Sequence, residues 1–396
     1  MLLATIERIA NGLVVLATGI NTGISNVLWG CRLSTSDMSV SVVVPCYNAE
    51  KFLDQCLSSI EADPMKELEI IVLNDGSTDS SLAIMEAHAA GDARVRVIDK
   101  ANQGYGATVN RGFDEARGEY VAVVEPDDYL KPGMFSALYQ LACKQGYPDV
   151  VKSSYWRVYM ADTPREHLYH CHYYHRVKPG HQPFVLADAP ILIQKHPSIW
   201  SALYKKSFLV GHGICFKEVP GAGWVDNPFL IETLAQAKTI AYTDEAWYCY
   251  REDLPTASSA SVNSALALTR WNDMADLLER LGVTDRGIWR ALYTVGFRHA
   301  GLALANGGLE QRDVCILLKK TFRRMDPAIV RAMDTVSPHL KQAFSQLTGE
   351  SVGGSGILAY RISQIREFGY TLKTAGLGFA LSRVGLSLKR RSAERS

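Results

Sequence analysis

The 396-residue sequence is short of net charge, of paired cysteines and of long unbroken apolar runs. Lysine and arginine number 42 against 41 acidic residues, a formal net charge of +1. Binding to nucleic acid through bulk positive charge is therefore excluded. The eight cysteines include no C-x-x-C pair, so there is neither a zinc ribbon nor a thioredoxin-type motif. Scattered single thiols in a chain of this size fit a reducing, cytoplasmic compartment. Internal repeats and low-complexity tracts are missing too. With 47% hydrophobic and 21% charged residues, the chain is not disordered, collagen-like or a multi-span membrane protein. Its length is that of about two to three domains.

Residues 9–31 carry no charge and are long enough to span a bilayer, but ten of these 23 are Gly, Asn, Ser or Thr, and the basic start of a signal peptide is missing. We read 1–37 as a loosely ordered extension ahead of Met38, which stands directly before a strong strand. The competing reading is a weak membrane anchor. Charge is also uneven. Arg361 to Ser396 holds eight basic and two acidic residues, so the tail is basic and the body mildly acidic.

Apolar β-branched runs predict strands at 39–44, 68–73, 94–98 and 120–124. Helical periodicity predicts helices at 50–62, 80–90 and 104–116 between them. Strands alternating with helices at this spacing predict an α/β fold, a mostly parallel sheet covered on both faces. Ligands bind such sheets at the carboxyl ends of the strands, where Asn48, Asp75, Asn102 and Asp127 cluster. Residues 149–185 predict further strands or a long excursion, and 200–208 a short amphipathic segment. A helix at 227–237 and strands at 239–242 and 246–250 follow. Beyond about 262 the pattern is helical: 264–281, 285–305, 310–324, 327–348 and 357–391, with Gly353–Gly356 as a hinge. The expected organisation is thus the extension 1–37, a catalytic domain over 38–260 and a helical region over 261–396.

Three constellations carry chemistry. Val44-Pro45-Cys46-Tyr47-Asn48-Ala49-Glu50 and Asn74-Asp75-Gly76-Ser77-Thr78-Asp79 each join a strand end to a helix start, a place suited to a polar ligand. A carboxylate there can accept from a base imide or a ribose hydroxyl; the plainer alternative is a turn with an N-cap. Glu125-Pro126-Asp127-Asp128 puts three carboxylates in four residues directly after a strand. They repel one another unless a cation is held, and hard oxygen ligands select Mg²⁺ or Mn²⁺ bridging to substrate phosphates. A solvated acidic turn is the alternative. Gly221-Ala222-Gly223-Trp224-Val225-Asp226-Asn227-Pro228 opens a helix. Asp226 there is an N-cap or a functional acid, and the glycines suit a loop that closes on substrate.

Together with Asn102-Gln103-Gly104, Asn110-Arg111-Gly112 and Tyr248-Cys249-Tyr250-Arg251, in this order from about Val40 to Ser259, these motifs resemble family 2 of the inverting glycosyltransferases, which have the GT-A fold. Pro197 to Lys206 also looks like members that build bacterial surface polysaccharides. The resemblance implies that Pro45 and Tyr47 wall the uracil, that Asp75 contacts the base, and that Asn48 and Glu50 lie near the nucleoside. It implies that Gly104 and Asn110 form the nucleotide-side loop and helix, and that Asp127 is the metal-holding second acid of the family's Asp-x-Asp motif. Glu125 stands where the first Asp is usual, one methylene longer. Asp226 matches the general base, with Val225 replacing the Glu of the usual Glu-Asp pair. Arg251 matches an element near the diphosphate.

Trp224, beside the candidate base, and Asp128 are expected to contact sugar or acceptor. The implied cofactor is Mn²⁺ or Mg²⁺. The implied partners are a nucleotide-sugar donor, such as a UDP-sugar, and a glycan or lipid-linked acceptor. Five of the ten histidines fall within 167–181, but their spacing matches no zinc finger, and a polar excursion near the acceptor is the favoured reading. The basic amphipathic tail Tyr370–Arg391 can lie peripherally on the inner face of an anionic cell membrane, or dock on the domain with a solvated end. The rival functions are a sugar-phosphate nucleotidyltransferase, which needs a Gly-rich phosphate loop that Pro45-Cys46-Tyr47-Asn48 is not, and a catalytically degenerate nucleotide-sugar-binding scaffold.

Overall fold

The computed structural model describes residues 38–254, 263–353 and 356–393, without the side chains of 382–393. The N-terminal extension, the expected boundary near 260, the middle of the Gly353–Gly356 hinge and the side chains of the basic end lie outside the described residues.

Strands β1 (Val40–Cys46), β2 (Leu68–Asp75), β3 (Val95–Lys100) and β4 (Tyr120–Val123) lie parallel in the order β3-β2-β1-β4. Every residue of β1, β2 and β4 is buried. Their sequences read as continuous apolar runs because both sheet faces are covered. Helices α1 (Glu50–Glu61), α2 (Ser81–Gly91) and α3 (Tyr105–Glu115) make the crossovers. Right-handed connections put α1 and α2 on one face and α3, which returns to β4 past β1, on the other. In α1 the buried set Leu53, Cys56, Leu57 and Ile60 follows helical spacing. Helix α3 crosses β1 so closely that a Cβ on Gly112 would lie 2.4 Å from Val43 Cγ1.

One charge sits at the opposite end of the sheet from the strand carboxyl ends. Buried Glu69 accepts from Ser41 Oγ (2.6 Å) and from the Arg117 backbone N–H and Nε (both 2.9 Å). Burial by itself would raise its pKa, but these hydrogen bonds outweigh burial and hold it below the usual range.

Beyond β4 the sheet continues through β8 (Ala202–Lys205), β6 (Val150–Tyr159), β9 (Ile240–Arg251) and β5 (Tyr129–Leu130), with β7 (His167–His170) folded back on β6. Strands β1–β4, β6 and β9 run one way and β5, β7 and β8 the other, so the sheet is mostly parallel, as expected.

Three expectations are corrected. The strands expected at 239–242 and 246–250 are a single strand, β9: Ser153 pairs with Thr243 and the next residue, Ser154, with Ala246, so Asp244 and Glu245 bulge out and mimic a turn in the sequence. The segment 200–208 is strand β8 running into helix α5 (Lys206–His212). The helix expected over 327–348 is two, α10 (Pro327–Arg331) and α11 (Pro338–Thr348); Pro338 starts the second, and the Ser337 side chain caps it by accepting from Leu340 N–H.

Helices α4 (Met134–Lys144), α6 (Asp226–Gln236), α7 (Ser264–Arg280), α8 (Arg286–Ala305), α9 (Arg312–Arg323) and α12 (Ile357–Ala393) complete the described α-helices, and short 3-10 turns lie at Leu186–Asp188 and Pro190–Ile193. Helix α7 packs on α6, and α8 and α9 pack on α7, so the helical region is anchored through the helix that Asp226 opens.

Candidate active site

The carboxyl ends of β1, β2 and β4 and the start of α6 bring most of the candidate residues to one edge of the sheet. The acidic turn after β4 is held from behind by β9. Tyr248 Oη accepts from the Glu125 backbone N–H (3.1 Å) and donates to Asp128 Oδ2 (2.8 Å), and the Arg251 backbone N–H donates to Asp128 Oδ1 (2.8 Å). Asp128 is 1% exposed with both oxygens engaged. Expected at the sugar or acceptor, it is instead a buried brace of the turn.

Arg251 is also engaged inside the fold. Its side chain is fully enclosed. Its guanidinium donates to the Asp127 carbonyl, to Gln55 and to Asp162 (2.9 Å), and lies over the Phe52 and Tyr129 rings at 5.0 and 4.9 Å. In this position it shapes the turn from within the fold.

With Asp128 and Arg251 engaged beneath, Glu125 and Asp127 are the acids left toward the open side. Glu125 accepts from Tyr105 Oη at 2.6 Å. Burial pushes its pKa up to about 8; the Tyr105 hydrogen bond opposes this, and the charges of Asp127 and Asp226 add to it. Burial likewise raises Asp127, against the attraction of Arg251. Asp226 is the first residue of α6, with Val225 at the cap position, so it is not the N-cap. Burial raises its pKa to about 6, while its own and the Asn227 N–H groups and the Arg270 charge pull it down. The helix N-terminus favours its anion. Glu125 is thus close enough to both Asp127 and Asp226 to feel their charges, although 101 residues separate it from Asp226 in sequence.

The nucleotide-side candidates fall into two sets. Tyr47 is 55% exposed beside buried Pro45 and offers a free ring face. The others hold loops. Asn48 Oδ1 accepts from Thr78 N–H (2.8 Å), and Asn48 N–H donates to Ser77 Oγ (3.0 Å). Glu50 Oε2 accepts from Ser80 N–H (2.9 Å) while Glu50 N–H donates to Asp79 (3.1 Å), so α1 and α2 cap each other's first turns. Asp75 is buried, ion-paired with Lys100, and accepts from Gln103 N–H (2.9 Å) and Gly104 N–H (3.0 Å). Gly104 has φ +90°, and a Cβ there would lie 2.6 Å from the Val219 carbonyl. Asn110 clasps the 216–218 segment through Phe216 O (2.9 Å), Phe216 N–H (2.8 Å) and Glu218 (3.0 Å). That clasp engages both ends of its amide.

Trp224, at φ +52°, is half-buried two residues before Asp226, its ring 6.0 Å from that of His299. His170 does not face a metal-like cluster: it stacks on Tyr174 at 3.5 Å and on Trp156 at 4.0 Å. Trp200 is buried in the core against Tyr248.

The donor chemistry fits a hard divalent cation. Among the described residues the Asp127 carboxylate accepts from its own backbone N–H, and Glu125 is the nearby second carboxylate. Among the described residues no group of three or more His, Cys, Asp or Glu could hold a metal by itself. One or two carboxylates completed by substrate phosphates is a usual Mg²⁺ arrangement.

Sequence reasoning missed Tyr105 and Tyr248. Tyr105 directly follows the Asn102–Gly104 motif and Tyr248 opens the Tyr248–Arg251 motif, but only the fold shows that their hydroxyls meet the acidic turn.

Residues 41–198 match the family described as Glycosyl transferase family 2. The chain is 31% identical over 223 residues to the uncharacterized glycosyltransferase EpsJ of Bacillus subtilis (strain 168), covering 54% of this chain and 61% of EpsJ. It is 41% identical over 118 residues to the glycosyltransferase GlyG of Streptococcus pneumoniae serotype 4, covering 30% of this chain and 39% of GlyG. The matches therefore span less than two thirds of these relatives. The crystal structure of S. aureus TarS 1–349 in complex with UDP-GlcNAc superposes with a TM-score of 0.63 at 21% identity, covering 78% of this chain and 88% of that one. That likeness shows the fold, which is GT-A. On this fold, residues 41–198 are the part that matches Glycosyl transferase family 2.

Proposed function

We propose that this protein is an inverting glycosyltransferase that moves a hexosyl or N-acetylhexosaminyl group from a nucleotide sugar, a UDP-sugar, to a glycan or lipid-linked acceptor of a bacterial surface polysaccharide. The observation that carries the reading is the meeting of Glu125, Asp127 and Asp226 at one sheet edge, with Asp226 held near a pKa of 6 at a helix start. Asp226 is ionised at neutral pH, yet only slightly below it in basicity. That suits a general base taking the acceptor hydroxyl's proton as the oxygen attacks the anomeric carbon. Attack opposite the leaving group inverts the configuration.

Asp127, with Glu125 second, would hold Mn²⁺ or Mg²⁺, which supplies charge stabilisation to the departing diphosphate. Tyr105 keeps the Glu125 carboxylate oriented. Tyr47 offers its face to the base, and the backbone around Asp75 and Gly104 lines the nucleoside side. Trp224 is suited to stack on the transferred sugar or the acceptor. In this reading the enzyme works peripherally at the inner face of the cell membrane, its basic C-terminal tail toward the lipid.

The test is UDP release from a panel of UDP-sugars, beginning with UDP-GlcNAc, the donor held by TarS, with Mn²⁺ or Mg²⁺ and then with EDTA. Metal-dependent release from one sugar is expected. No release and no nucleotide binding by calorimetry would overturn the reading in favour of a scaffold.

A further inference from the structure

Helix α12 is amphipathic the wrong way round for a helix docked on a protein. Up to Thr374 its inward side is polar: Ser363 Oγ donates to the Asp334 carbonyl (3.2 Å), Glu367 pairs with Arg176 (3.0 Å), and Tyr370 Oη donates to the Tyr174 carbonyl (2.8 Å); beyond it Phe379 stacks on Tyr169 at 4.0 Å. Arg176 also lies 3.4 Å over the Tyr370 ring. Residues 363, 367, 370 and 374 recur at helical spacing and form this one face.

The face turned about 150° from it, at 3.6 residues per turn, consists of Leu358, Ile362, Ile365, Gly369 and Leu372. All are exposed, Leu358 at 71% and Ile365 at 69%. Past the kink at Gly376, Leu377 and Leu381 are exposed as well. Seven of the 13 large hydrophobic residues exposed among the described residues belong to this helix. A contiguous apolar stripe of this kind marks an interaction surface. Exposed Arg361 borders it on one side, and exposed Arg366 and Lys373 on the other.

The charges decide the occupant. The stripe has the spacing of a helix-pair seam, but a second copy would set rows of Arg361, Arg366 and Lys373 against their equals, with the nearby Glu367 already engaged by Arg176. An anionic lipid surface instead takes the apolar stripe into its interface and the flanking cations at its headgroups, and the segment from Arg361 onward carries six net positive charges. No helix among the described residues is long and apolar enough to cross a membrane. We infer that α12 lies in the plane of an anionic membrane on its Leu358–Ile362–Ile365–Leu372 face, while its polar face stays docked on the catalytic domain through Glu367 and Tyr370. The inference deepens the peripheral-membrane part of the proposed function and rests on that reading.

The test is sedimentation of the full chain with vesicles of about 30% phosphatidylglycerol in phosphatidylcholine, against phosphatidylcholine alone. Binding to the anionic vesicles is expected, weakened at least tenfold in a Leu358→Glu/Ile365→Glu variant. An Arg361→Gln/Arg366→Gln/Lys373→Gln variant should lose the preference for anionic lipid. Vesicle binding unaltered by the apolar double substitution, or absent in the parent chain, overturns the inference. So does a light-scattering mass that falls from dimer to monomer in that variant, which would assign the stripe to a second copy. Donor hydrolysis, read in the same samples without vesicles, should be unchanged. Its absence from the parent chain would count against the proposed reaction alone.

Discussion

Tyr105 donates its hydroxyl to Glu125 across 2.6 Å, joining the first turn of α3 to the acidic turn after β4. This bond favours the ionised Glu125 against burial and against the charges of Asp127 and Asp226. The acid that departs from the family pattern, a glutamate in place of an aspartate, thus has a partner that fixes where its longer side chain ends.

Tyr105→Phe removes that partner. Glu125 then rises further above about 8 and is protonated over more of the neutral range. The concentration of Mn²⁺ giving half-maximal UDP release should increase about three- to tenfold, most strongly below pH 8, with the maximal rate less affected. A metal titration at pH 7 and 9 checks this; an identical requirement at both pH values would exclude it.

In the proposed reaction Asp226 works as a base only when ionised. With its pKa near 6, transfer should fall about tenfold per pH unit below 6 and level off above it. Asp226→Asn should lower turnover by about 10² to 10⁴. The same burial has a stability consequence. A carboxyl whose folded pKa lies above its unfolded value disfavours folding progressively from about pH 4 to 6 and by a constant amount beyond. Asp226→Asn should therefore be more stable than the parent at pH 7, by about 1–3 kcal/mol, and no more stable at pH 3.5. Thermal unfolding at the two pH values measures the difference.

Arg251→Met separates a brace from a ligand contact. It leaves the Asp127 carbonyl, Gln55 and Asp162 without their shared donor inside the fold. Arg251 is enclosed but Asp162 is 47% exposed, so the cost is that of lost hydrogen bonds and not of a fully buried pair, about 1–3 kcal/mol. A marked loss of thermal stability without bound donor is expected, and Arg251→Lys should not restore it, because one ammonium cannot reach the same three acceptors. A raised donor KM at unchanged stability would instead assign Arg251 to the diphosphate.

Gly104→Ala tests the close approach of the 219–221 segment. The new Cβ would press on the Val219 carbonyl at 2.6 Å, from a φ of +90° that alanine rarely adopts. A stability loss of about 1–3 kcal/mol is expected, with a higher donor KM, because Gly104 N–H also positions Asp75. Denaturant unfolding and donor kinetics read the two effects.

Which parts of this were legible in the chain follows from range. The β-branched runs of β1, β2 and β4, buried on both faces, and the periodicity of α1 are local signals, so the order of elements and the α/β class could be read directly. The bulge at Asp244–Glu245 and the break before Pro338 were misread because a polar pair imitates a turn and apolar spacing can continue across a proline. Glu125, Asp127, Asp128 and Asp226 were legible as candidates, since all stand at strand or helix ends.

Which acid faces which way was decided by tertiary structure. Asp127 and Asp128 are neighbours with the same side chain, and nothing local tells them apart. Strand β9, more than a hundred residues later, supplies Tyr248 and the Arg251 N–H to one of them and leaves the other open. The same holds for α12: its apolar spacing is written in the sequence, but the docking of its polar face by Arg176 and Tyr174 is what turns the stripe outward. A residue's type is a local property. Its burial and partners are sums over distant segments, and those sums set the pKa values, the open carboxylate and the exposed face.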